Sequence, residues 1–157
     1  MSELFYLIVG AILAIIGGVA NDEIRAGRER ARELKAIKIS LCDELGEIVT
    51  TVKNMHEVWE KSKILYPSYI SDLASNTTAF DSLRQRLFLI SDDALRTQIV
   101  AFYKKLKDTA KKSRGKVGTL AQTAEALAEQ TGIESDFKTL GAEAKLIQDS
   151  LKPKVKS

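Results

Sequence analysis

The chemistry open to this 157-residue chain is limited by its one histidine, its one cysteine and its grouped carboxylates. His56-Glu57-Val58-Trp59-Glu60 opens like a His-Glu-x-x-His zinc helix, but Glu60 stands where the second histidine must be. A di-iron bundle needs Glu-x-x-His on each of two helices, and Lys53 holds the position three before His56. No metal and no other cofactor is therefore expected, and His56 is expected at a solvated helix end. Asp43, Glu44 and Glu47, with Glu57 and Glu60, would hold a hard cation only if folding gathered them. Their alternation with Lys and Arg reads instead as the exposed face of a charged helix. Cys42 has no partner for a disulfide and no neighbour that would clearly activate it, so a buried small apolar role is expected. There is no Gly-rich phosphate loop, no nucleophile elbow and no supported Ser/His/Asp set. The expectation is a protein that is not an enzyme.

The sharpest charge feature is Lys104, Lys105, Lys107, Lys111, Lys112, Arg114 and Lys116, opposed within the run only by Asp108. Lys104, Lys107, Lys111, Lys112, Arg114 and Lys116 are candidates for contact with anionic lipid or a protein partner. A solvated helix face backed by Phe102, Leu106 and Ala110 is the plainer alternative. Nucleic acid is not the expected partner, because Tyr103 is the only aromatic nearby for base stacking.

Helices must position these groups. The chain has 2 Pro and 9 Gly, and charged residues make up 29%, which excludes collagen-like, Pro-rich and broadly disordered classes. Leu34, Ile37, Leu41, Leu45, Ile48, Val52, Met55 and Trp59 recur at helical spacing without a proline between them. Lys61 to Ser71 is expected to be a loop, broken by Pro67. Thr78 and Asp81 have the spacing of a capping-box variant, and Phe80, Leu83, Leu87 and Ile90 form a short stripe. Ser91 is the expected N-cap of a helix running from Asp92 to about Gln130, bent near Gly115 and Gly118, with Thr131-Gly132 as its stop. Ile133, Phe137, Leu140, Ala144, Ile147 and Leu151 mark a last helix ended by Pro153. No segment alternates as a strand. The fold class is all-α: an antiparallel bundle or long hairpin of about four helices.

Leu4 to Ala20 is an unbroken run of 17 uncharged residues. At 1.5 Å rise it covers about 25 Å, the short end of a membrane span. The preceding Met-Ser-Glu lacks the basic start of a signal peptide. Residues 1–21 thus read as a transmembrane anchor that continues into the first long helix, and residues 22–157 as a bundle. Arg25, Arg28, Arg30, Arg32, Lys35 and Lys38 follow the run, which puts the N-terminus outside and the body in the cytoplasm. The Asn76-Thr77-Thr78 sequon is idle on that side. Gly10, Ala14 and Gly18 line one stripe of the span, where a second helix can approach closely; such residues are also common in spans generally. Phe5 and Tyr6 suit an interfacial belt.

The segment DDALRTQIVAFYKKLKD, Asp92 to Asp108, follows a span and a long charged helix. In this order of elements, and in Ile99, Phe102, Tyr103 and Leu106, the chain is similar to a diffuse class of small bacterial membrane-anchored helical bundles of unassigned function. The resemblance implies no catalytic residues. The expected function is presentation of a cytoplasmic bundle for protein–protein interaction, as an accessory or scaffold subunit of an inner-membrane complex. Partners would be the bilayer and a membrane protein or second copy, engaged through the span and Ile24 to Leu41. The alternative is a phage or defence-type effector that acts by oligomerising in the bilayer.

Overall fold

The computed structural model describes the backbone of residues 2–118 and 123–152, with side chains from residue 22 onward. The described residues are helical, without strands. Helix α1 is Ser2–Ser62, α2 is Pro67–Ser75, and α3 is Thr78–Leu83, which runs into a 3₁₀ turn at Arg84–Leu89. Helix α4 is Asp93–Ser113 and α5 is Ala124–Leu151. The chain divides into two compact units, Met1–Ala36 and Ile37–Ser157.

The first unit is helical, and its side chains from Asp22 to Arg32 are exposed. The expected span, with Gly10, Ala14, Gly18, Phe5 and Tyr6, lies outside the residues whose side chains are described, as does Pro153. Among the described residues no helix is long and apolar enough to cross a membrane.

The second unit is an up-down-up-down bundle, whose second rung is assembled from α2, α3 and the 3₁₀ turn. Its topology follows from pairs across the interfaces. Cys42 and His56 of α1 meet Gln148 and Glu134 of α5, so these helices are antiparallel. Lys105 of α4 meets Glu143 of α5, and Lys116, just past α4, meets Glu129. Lys107 of α4 meets Asp81 of α3.

The 3–4 spacing of the α1 stripe has a direct physical outcome: Ile37, Leu41, Leu45, Ile48, Val52, Met55 and Trp59 are all buried. They pack with Phe80, Leu87 and Ile90 from the second rung, Ile99, Phe102, Tyr103 and Leu106 from α4, and Phe137, Leu140, Ala144 and Ile147 from α5. Phe80 and Tyr103 stack at 4.1 Å between ring centroids. Each such side chain is stabilised by about 1.5–3 kcal/mol of transfer free energy. Gly141 sets the approach of α5 to α1, since a Cβ there would lie 2.8 Å from Val52 Cγ1.

Several sequence expectations are corrected. Ile37 and Leu41 belong to the core, so the free stretch of α1 is shorter than Ile24 to Leu41. The loop after α1 does not reach Ser71, because Pro67 occupies the first turn of α2, where its fixed φ and missing N–H suit a helix start. The residue before α3 is Thr77, not Thr78, and its hydroxyl donates to Asp81 Oδ2 at 3.3 Å. Asp92, not Ser91, caps α4, and its carboxylate accepts from Leu95 N at 2.9 Å. Helix α4 stops at Ser113 instead of continuing to Gln130, since Gly115 and Gly118 adopt φ of 80° and 102°. Thr123 caps α5 through Ala126 N. Thr131-Gly132 is not a stop: Thr131 Oγ1 donates to Leu127 O inside a continuous α5.

Candidate functional site

Two of the candidate chemical groups, Glu44 and His56, are engaged in contacts between helices. Glu44 is not on the charged outer face of α1. The residue is 7% exposed, and its carboxylate accepts from Ala79 N at 2.6 Å and Phe80 N at 3.2 Å, closing the start of α3. Asp43 and Glu47 remain exposed. His56 is not a free helix end either: its Nδ1 lies 2.5 Å from Glu134 Oε1, and Glu134 is buried. Cys42 is half-buried, with its thiol directed at Gln148 O, 3.7 Å away; burial raises its pKa. Tyr103 is buried with its hydroxyl near the Glu44 carboxylate but not in a completed hydrogen bond. Burial first, and then Glu44, push its ionisation far above the ordinary tyrosine range. Among the described residues no group of three or more His, Cys, Asp or Glu could hold a metal.

The basic block divides in two. Lys105, Lys107 and Lys116 pair with Glu143 at 2.6 Å, Asp81 at 2.7 Å and Glu129 at 2.8 Å. The Lys107 hydrogen bond lowers the Asp81 pKa; desolvation opposes it, and the Lys107 charge, the Thr77 hydroxyl and the Arg84 charge add to the lowering. Among the described residues Lys104, Lys111, Lys112 and Arg114 are exposed and in no ion pair.

The most distinctive surface lies on the outer side of α4. Thr97, Ala101, Lys104, Asp108 and Lys111 recur there at 3–4 spacing, with Val100 beside Ala101, all exposed. Between this face and the 3₁₀ turn is a groove of about 550 Å³, lined by Arg84, Leu87, Phe88, Arg96, Val100 and Lys104, among others. Phe88 is 68% exposed and Val100 37%. The turn is fixed from both sides. Leu87 and Ile90 are buried, and Arg96 Nη1 donates to the carbonyls of Phe88 and Ile90 at 3.2 Å each. Arg96 also pairs with Asp93. Across Ala101, a second groove toward α5 is lined by Phe102, Leu146 and Ile147, with Leu146 69% exposed. An apolar band therefore crosses α4 from Phe88 to Leu146, edged on the α5 side by Gln98 and the Lys105–Glu143 ion pair.

Sequence reasoning did not single out Phe88, Val100 or Leu146, although a signal exists. Each is an apolar residue next to an in-register one (Leu87, Ile99, Ile147), so helical geometry turns it out of the core. Compared with family models, with curated proteins and with solved structures, the chain matches none.

Proposed function

We propose that this chain is a non-enzymatic, single-span membrane protein that presents a cytoplasmic helical bundle to a protein partner, as an accessory or scaffold subunit of a membrane complex. One observation carries the binding reading: the band of Phe88, Val100 and Leu146 leaves large apolar side chains in water while the core of the same bundle is closed. The buried ionisable groups support it, because Glu44 is committed to two backbone amides and Glu134 to His56. The anchor rests on the 17-residue run Leu4 to Ala20, and its orientation on the six basic residues from Arg25 to Lys38.

In this reading the anchor fixes location and the bundle supplies the contact. The chain should stay in membranes through alkaline carbonate. A reporter fused after Ser157 should be active only if it works in the cytoplasm, and mild detergent should release the chain with a stoichiometric protein partner. Release by carbonate as a lone monomer would refute the proposal.

A further inference from the structure

The groove between the 3₁₀ turn and α4 is mainly apolar on its floor, with Leu87, Phe88, Val100 and Ala101. Its charged lining is Arg84, Arg96 and Lys104, and no carboxylate lines it. Arg96 is held by the turn carbonyls and Asp93, so it shapes the wall. Arg84 and Lys104 are exposed and in no ion pair among the described residues. The site thus offers an apolar seat with cationic edges between two helical elements, the shape that an amphipathic helix fills with its apolar face.

We propose that this groove docks an acidic amphipathic helix of a partner protein, with an apolar side chain against Phe88 and Val100 and carboxylates at Arg84 and Lys104. The inference rests on the partner-binding reading above and adds the surface and the chemistry of its occupant. Charge complementarity selects the partner, since a basic segment would place like charges against Arg84 and Lys104. A second copy docking through the same face would do so as well. A bilayer is a poorer match: only two cations border the apolar seat, and the other unpaired ones of the basic run, Lys111, Lys112 and Arg114, lie beyond it, so headgroup contact alone leaves the seat unused.

The test is a photo-reactive residue placed in the full chain at Phe88 or at Ala101, with Glu57, exposed on α1, as the control position. Phe88 and Ala101 are both exposed, so neither change endangers folding. Cross-linked peptides from cells are then sequenced. The proposal expects products at 88 and 101, not at 57, on a segment with net negative charge and apolar residues at 3–4 spacing. Arg84→Glu with Lys104→Glu should cut the yield at least about tenfold. Lipid adducts alone, products with another copy of the chain, a basic segment, or no product at either position each overturn it. The same residue is also placed at two other exposed apolar positions, Ile39 and Leu127; protein products confined to these would overturn this inference and leave the partner-binding reading standing. Absence of protein products from every position would remove both.

Discussion

Replacing Glu44 with alanine should be among the most damaging single changes to the bundle, although a reading of the sequence assigns this residue to a solvated face. The carboxylate is the acceptor for Ala79 N and Phe80 N, and the hydrogen bond to Phe80 is buried. Neither amide has an intrahelical acceptor, because both belong to the first turn of α3. Removing the acceptor leaves two donors short of water, each at a cost of about 1–3 kcal/mol, so Glu44→Ala should destabilise by roughly 2–5 kcal/mol. Glu44→Gln keeps one acceptor oxygen without the charge and should cost about half as much. The chain's one tryptophan, Trp59, is buried in the same bundle, so denaturant unfolding followed by its fluorescence reads the effect. Amide exchange at Ala79 and Phe80 should accelerate in step. A Glu44→Ala protein within about 0.5 kcal/mol of the parent, with exchange at those amides unchanged, would refute the capping role.

Three further outcomes are expected. Gly141→Ala should destabilise by about 1–3 kcal/mol through its clash with Val52, and Val52→Ala in the same chain should recover part of that loss in a double-mutant cycle. His56→Ala should cost about 1.5–3 kcal/mol because buried Glu134 loses its partner, and Glu134→Gln in that background should restore stability in the Trp59 unfolding assay. Asp81 has a lowered pKa when folded, so its stabilisation is present above the ordinary carboxylate pKa and is lost as pH falls through the lower folded value. The exposed pair contributes at most about 1 kcal/mol, and Lys107→Met should flatten the loss of stability as pH falls below the ordinary carboxylate range.

The core was legible in the sequence because burial follows helical period. Every member of the stripe from Ile37 to Trp59 is buried, and so are Phe80, Ile99, Phe102, Leu106, Phe137, Leu140 and Ile147. Helix boundaries were less legible, since glycine carries no local record of its φ. Gly115 and Gly118 take left-handed conformations and end α4, while Gly132 sits inside α5 with no side chain near enough to meet a Cβ. Gly118 lies close to Pro67, a contact between distant parts of the chain. The roles of Glu44 and His56 were hidden for the same reason: their partners are 35 and 78 residues away. The surface band was partly legible, as apolar residues one step out of register.

Folding divides the basic run between paired and unpaired cations. Seven cations in thirteen residues suggest a strong patch centred on Lys107 to Lys112. Folding brings Glu143, Asp81 and Glu129 to Lys105, Lys107 and Lys116, from 38, 26 and 13 residues away. The unpaired positive charge that remains is Lys104, Lys111, Lys112 and Arg114, with Asp108 on the same outer face of α4. Of these, Lys104 alone lines the apolar groove, where Arg84 joins it from a part of the sequence outside the run. Exposed charges without apolar neighbours contribute little to affinity and mainly steer encounter, whereas a desolvated apolar seat supplies most of the binding energy. Under the proposed docking, specific recognition falls to Phe88, Val100 and Lys104, and the distal lysines contribute a salt-sensitive approach.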